Sequence, residues 1–468
     1  MGMEIAPEVR ELIDTLLQKI AVLEQEVADL RRQLGKDSNN SSKPPSSDGL
    51  GKKPRIAGSL RGTSGKKSGG QVGHKGGPLR RVDTPDIIKR HTATNCQHCR
   101  AKLTAAMEIG VETRQVFDLP ESRLEVTEHQ AHIYTCRGCH NTTRAAFPED
   151  VTSHVQYGTR VKAAAIYLNA QQLIPEDRVA EVMSDLFGAE LLCPASVASW
   201  STAKAEDLKP LVDHIAALVD HAPVRHLDET GFRIDGKTQW LHTASTLALT
   251  HYRVSEKRGA LPATLVSGII VHDHFKPYYT LPDVEHGLCN AHHLRELKAL
   301  IEIEKEPWAK KMFRLLLKTN NAVCHAVDHG SSVLAERIKR RVLRLYDAIV
   351  ARGLAFHEQQ PPLLKRLGKR GRPARRPGHN LLIRLRDFKD DVLRFVSDLK
   401  VPFTNNLAEQ DIRMMKVKMK ISGGFRTKTG AETFAALRSV ISTARKQGWN
   451  ILKTLSSPPK ILIAALSV

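Results

Sequence analysis

The sequence predicts a multidomain chain: an N-terminal coiled-coil helix, a small β module, a helical domain, and an α/β core. Three observations predict it. Apolar residues recur at heptad spacing through the first 34 residues, four cysteines fall in two C-x2-C pairs, and helical patterning gives way to strand patterning near residue 223.

The charge balance narrows the partner. Seventy-one Lys and Arg against fifty Asp and Glu leave +21 over 468 residues, with a sequence pI near 9.7. A polyanion, nucleic acid first, is the expected partner. No apolar run approaches the roughly eighteen residues that span a bilayer, and the start, MGMEIAPEVR, has neither a basic n-region nor an apolar h-region. A cytoplasmic protein without membrane contact is expected.

Residues 1–35 read as a leucine zipper. Ile13, Ile20, Val27 and Leu34 take the a positions, and Val9, Leu16, Leu23 and Leu30 the d positions. Mostly β-branched a with mostly leucine d favours a parallel two-stranded coil, and the g–e′ pairs Lys19–Glu24 and Glu26–Arg31 are opposite in sign, so a homodimer is expected. Residues 36–90 have too little apolar content to offset ordering entropy and read as a flexible linker. Its Lys52, Lys53, Lys66 and Lys67 form a basic arm suited to phosphates.

Residues 91–148 hold Cys96-x2-Cys99 and Cys136-x2-Cys139, 36 residues apart. Two thiolate pairs on hairpin knuckles can close a tetrahedral zinc site, and so small a β module needs such a staple. RQVFDLP (114–120) and RLEVTEHQAHIYTC (123–136) are expected to be its strands. Residues 151–215 read helical, with PEDRVAEVMSDLFG and PASVASWSTAKAEDL opening on proline around a turn after Gly188; they form a helix-turn-helix or a plain helical spacer.

The core is expected over 222–455, with helices following its strands through roughly residue 353 and a tail at 456–468. PVRHLDETGFRI, TQWLHTASTL and LTHYRVS read as consecutive strands, followed by a helix-length segment and the strand SGIIVHDHF. The later loop KRLGKRGRPARRPGHN contains Arg370-Gly371-Arg372-Pro373, the core of a minor-groove hook as well as an ordinary basic loop.

Asp228 and Asp273 are read at strand ends, and TNNLAEQDIRMMKVKMK places Glu409 on a later helix. There Ala408, Ile412, Met415 and Met419 form an apolar stripe, and Arg413, Lys416 and Lys420 continue the row that Glu409 opens. One reading is local, a near capping box with Asn406 and an i,i+4 pair with Arg413. The other is a divalent-metal site for Mg²⁺ on hard carboxylate oxygens, with Arg413 and Lys416 on nucleic-acid phosphates. Glu229, Asp235 and Asp283 are rival acids. Cys289, His292 and His293 are read as a packed helix start near this site rather than a second metal centre.

The chain resembles transposases of the insertion-sequence sixty-six family. The resemblance rests on the zipper, SSKPPSSDG, GGQVGHKGG, the four-cysteine module, HLDETG, LCNAHHLREL and PFTNNLAEQDIRMMKVKMKISGGFRT. It implies a DDE-class enzyme with an α/β, ribonuclease-H-like core carrying a large helical insertion at about 290–400, Asp228, Asp273 and Glu409 as its catalytic triad, and Mg²⁺ or Mn²⁺ beside structural Zn²⁺. It also implies that Lys416 engages transposon-end DNA, that the partners are terminal inverted repeats, target DNA and element-encoded accessory proteins, and that the protein works at the nucleoid of a bacterial cytoplasm. Two motifs depart from the family pattern: His274 stands where glycine is usual, and CNAHHLREL keeps one of two usual basic residues, Arg295. The alternatives are an inactive DNA-binding regulator derived from such an enzyme and, further off, a zinc-dependent nuclease.

Overall fold

The structure, a computed structural model, describes residues 6–38, 40–41, 79–119, 123–261, 267–363 and 375–466. Lys52, Lys53, Lys66, Lys67, Arg370 and Arg372 lie outside the described residues. The chain divides into two compact units, Ile56–Val126 with Leu186–Gly188, and the remainder.

In the smaller unit, the Gln115 side chain pairs with both the N–H and the carbonyl of Val82, at 2.8 and 2.7 Å. Around the first knuckle the Cys96 N–H donates to Ala101 O (2.8 Å) and the Arg100 N–H to Cys96 O (2.9 Å).

The larger unit begins with α1 (Pro7–Leu34), which buries no residue; Ile13, Leu16, Ile20 and Leu23 are all exposed along its heptad face. At its C-terminal end Arg32 pairs with Asp29 and Glu304. The first residues of the expected linker are tied down as well: Asn40 is buried and donates to Gly35 O at 3.0 Å and Glu302 Oε2 at 3.3 Å.

The second knuckle sits on a hairpin of β1 (Ile133–Thr135) and β2 (Thr142–Arg144). The Cys136 N–H donates to Asn141 O at 2.9 Å, and the His140 N–H to Cys136 O at 2.8 Å. The expected strands over 114–120 and 123–132 do not form among the described residues. Their apolar side chains Val116, Leu119 and Val126 are exposed, so no sheet face repays extending them.

Four helices follow, α2 (Thr159–Ile166), α3 (Glu176–Phe187), α4 (Pro194–Asp207) and α5 (Lys209–Asp220), with a wider π-helical turn at Tyr167–Gln171. They lead into a five-stranded sheet of β3 (Val224–Ile234), β4 (Lys237–Ser245), β5 (Thr250–Ser255), β6 (Ile269–His272) and β7 (Glu285–Leu288). The strand order is β5-β4-β3-β6-β7; the first three pair antiparallel, and β6 and β7 are parallel to β3. Asp235 and Gly236, both at positive φ, turn β3 into β4, and Asp283 likewise occupies a left-handed turn position, which assigns both rival acids to turns.

Helices α6 (Asn290–Ala299), α7 (Pro307–Asp328), α8 (Glu336–Glu358), α9 (Pro377–Asp387), α10 (Lys389–Val392) and α11 (Arg394–Ser397) form a block with its own core, including Trp308, Met312, Tyr346, Leu382 and Phe395. The segment read as a loop to residue 380 becomes helical at Pro377, where proline suits a first helical position. The chain then returns to the sheet through α12 (Asn406–Ser422) and α13 (Lys428–Lys446), and ends in α14 (Ile451–Ser456) and α15 (Pro459–Ala465). α12 packs across β3 and β4, and α13 against β5 and α4. No helix among the described residues is long and apolar enough to cross a membrane.

Strand alternation sorts the two faces of β3. Phe232 and Ile234 pack under α12 and α13 with Ile412, Met415 and Phe434. Leu227, of opposite parity, meets Ile270 and Tyr278 on the other face.

Candidate active site

By that parity Asp228 faces α12. It lies within β3 rather than at its end, opposite Thr243 of β4. The expectation that it ends a strand holds only for the parallel half of the sheet, whose pairing stops at His226↔Val271. Two further residues at this register bring Asp228 level with Asp273, which follows the end of β6. Asp273 is exposed and accepts from the Phe275 N–H at 3.2 Å.

Glu409 arrives from above, in the first turn of α12. Ala408, Ile412 and Met415 are buried as the stripe requires. The local reading of Glu409 is corrected: the N-cap is Asn405, not Asn406, and it makes no side-chain cap bond. Instead Asn405 donates from Nδ2 to Leu227 O at 2.7 Å, its Oδ1 lies 2.9 Å from His226 Nδ1, and its N–H meets Cys289 Sγ at 3.1 Å. One asparagine thus ties the start of α12 to β3 and to the end of β7. Further along, Asp411 accepts from Ser245 Oγ (2.6 Å), Thr250 Oγ1 (2.9 Å) and Lys446 Nζ (2.9 Å), pinning α12 to β4, β5 and α13. Both positioning residues escape sequence reading, because all their partners except Lys446 lie more than 100 residues away.

The electrostatics follow from this placement. Burial, then the charges of Glu229 and Asp273 with Glu409 adding, push Asp228 up to about 8. Only the Glu229 N–H, 2.9 Å from Asp228 Oδ1, works against them. The rival Glu229 is differently placed. It faces the other side, where Arg258 meets it at 2.7 Å and Tyr278 donates to it at 2.7 Å. Asp273 and Glu409 thus lie near enough to add to the effect of burial and Glu229 on Asp228, and carboxylate oxygens are the donors a hard divalent cation takes.

The Glu409 carboxylate itself lies 3.8 Å from Cys289 Sγ and 3.9 Å from His292 Nδ1. Cys289 is the N-cap of α6, so the packed helix start near the acids is present; His293 turns away, to Asn290 Oδ1 at 3.1 Å. Arg413, Lys416 and Lys420 are exposed on α12. The lead thiols Cys96 and Cys136 are both held below the usual thiol range, first by the backbone N–H of Cys99 and Cys139 respectively. Each knuckle by itself therefore favours the thiolate that binds zinc.

The family model described as Transposase IS66 family matches residues 154–433, more than half of the chain. The zinc-finger binding domain of transposase IS66 matches residues 93–140, and a family of unknown function matches 3–80. Neither a curated protein nor a solved structure matches. With its zinc-finger module and mixed-sheet core, the chain belongs to the IS66 family of transposases.

Proposed function

We propose that this transposase is a DDE-type enzyme that cuts transposon ends by hydrolysis and joins the resulting 3′-OH to target DNA by direct transesterification. The observation that carries the reading is that Asp273, level with Asp228 of β3, and Glu409 of α12 both lie near enough to add to the rise that burial and Glu229 give the Asp228 pKa. The mixed sheet, with acids at its parallel half and on a later helix, supports a ribonuclease-H-like core. Asp228, Asp273 and Glu409 would hold Mg²⁺ or Mn²⁺, which when bound activates the attacking oxygen and stabilises the leaving one.

The chain's own residues supply position. Asn405 and Asp411 fix the height and rotation of α12, and so the reach of Glu409. Arg413, Lys416 and Lys420 present cations along the same helix for the DNA backbone. Hydrolysis breaks one phosphodiester and leaves a 3′-OH; joining breaks one target phosphodiester for each one formed. No covalent protein–DNA intermediate is required.

Cys96, Cys99, Cys136 and Cys139 are the proposed zinc ligands. The exposed heptad face of α1 supports pairing with a second copy.

The experiment is Mg²⁺-dependent cleavage of a labelled transposon end by parent and Glu409→Gln protein. Cleavage is expected to fall by about 10³-fold or more while folding and zinc content persist. Cutting at the parent's rate would make Glu409 a structural residue and overturn the triad, whereas a parent that does not cut would leave the DNA-binding regulator as the better reading.

A further inference from the structure

We propose that Cys289, His292 and Glu409 form a three-donor site for a thiophilic divalent cation of the zinc class. One ligand atom from each residue lies within 4.8 Å of the other two. Glu409 Oε1 stands 3.8 Å from Cys289 Sγ and 3.9 Å from His292 Nδ1. Zinc bonds of about 2.0–2.3 Å make tetrahedral edges of about 3.3–3.8 Å, so the two Glu409 distances need to close by about 0.3–0.6 Å.

Two features argue for a ligand site rather than casual packing. His292 Nδ1 is buried with no hydrogen-bond partner among the described residues, a vacancy that a metal bond would fill. The frame is also already fixed: the Cys289 N–H donates to His272 O at 2.8 Å, and the Asn290 N–H to Phe403 O at 3.0 Å. The Asn405 N–H meets Cys289 Sγ at 3.1 Å, holding the sulfur toward the start of α12. Sulfur, imidazole nitrogen and carboxylate form a zinc-type set that magnesium does not choose, and three protein ligands leave a fourth position open. Because Glu409 also belongs to the proposed catalytic carboxylates, the soft cation competes with magnesium for it; this last clause rests on the proposed function.

Zinc counted per chain in full-length protein, after dialysis against buffered zinc, tests the site. Cys289→Ser and His292→Asn proteins, folded by circular dichroism, should each hold one zinc fewer than the parent, since the knuckle zinc involves neither residue. Equal zinc in parent and both variants overturns the site. Should Cys289→Ser fail to fold, His292→Asn, at a side chain 23 % exposed, decides alone. A second titration tests the sharing. Millimolar Mg²⁺ should raise the zinc concentration needed for the extra equivalent by about tenfold. An unchanged midpoint overturns the sharing, and with it the magnesium role of Glu409, separately from the zinc count.

Discussion

Asp228 and Glu229 are adjacent on β3, yet they occupy opposite chemical situations. Glu229 is buried and satisfied: Arg258 stacks on Phe275 at 4.2 Å while pairing with it, and Tyr278 donates from the same side. Burial raises its pKa, and Tyr278 and Arg258 pull it back. Asp228 has a single backbone donor and three acids for neighbours. Burial alone therefore does not mark a functional carboxylate. What separates the two is whether the fold supplies the counter-charge or leaves it to a ligand.

The largest expected effect breaks this comparison if it is wrong. Asp228→Asn should abolish cleavage, by about 10³-fold or more, without loss of stability in metal-free protein, because it removes a repelled charge. Glu229→Gln should do the reverse. It leaves the acids facing α12 in place and lowers stability by about 1–3 kcal/mol, an amount already reduced because Arg258 is 46 % exposed. Urea unfolding beside the cleavage assay separates the two. Equal behaviour of the two variants in both assays would erase the distinction between the faces.

The same contrast explains what the sequence made legible. Strand patterning is legible in β3, β4 and β5, which bury Phe232, Ile234, Leu241 and Tyr252 together with residues of α12 and α13. The 3.6-residue stripe on α12 is equally plain, and its side chains Ala408, Ile412 and Met415 are buried. β7 was not anticipated: EHGL is four residues long, and its pattern is set by pairing with β6 rather than by alternation. The sequence offers Asn406 as a cap and Cys289 as part of a packed helix start; that Asn405 and Glu409 both meet Cys289 depends on contacts more than 100 residues apart. The failed strands at 114–132 show the converse, an apolar rhythm without a face to bury.

A smaller effect sharpens the comparison on the Glu229 side. His242 lies opposite Glu229 in the β3–β4 register, and its Nε2 has no hydrogen-bond partner among the described residues. Burial, helped by Arg253, pushes it down to about 4. The unfolded chain takes up this proton as pH falls through about 6.5, while the folded chain declines it until about 4. Its contribution is full above 6.5 and lost as pH drops toward 4. Parent protein should lose stability between pH 7 and pH 5, and His242→Gln should shrink that loss by about 1–2 kcal/mol. An identical loss in the variant would assign the acid sensitivity to other histidines.

The smallest effect concerns the turn that presents Asp273. His274 sits at φ +73°, a left-handed conformation that costs a residue with a Cβ about 1 kcal/mol and glycine almost nothing. The ring recovers part of that cost: it stands edge-on to Phe388 at 4.4 Å, and its Nδ1 lies 3.2 Å from Tyr279 Oη. Substitution by alanine loses the ring and keeps the strain, whereas substitution by glycine loses both. At ordinary positions alanine is the more stable of the two by about 0.4–1 kcal/mol, because glycine loosens the unfolded chain. Here the order should invert, with His274→Gly about 0.5–1 kcal/mol more stable than His274→Ala and slightly below the parent. Paired unfolding curves measure it. Alanine above glycine would mean that the turn relaxes on its own, and that the histidine is held there by its ring contacts without backbone strain.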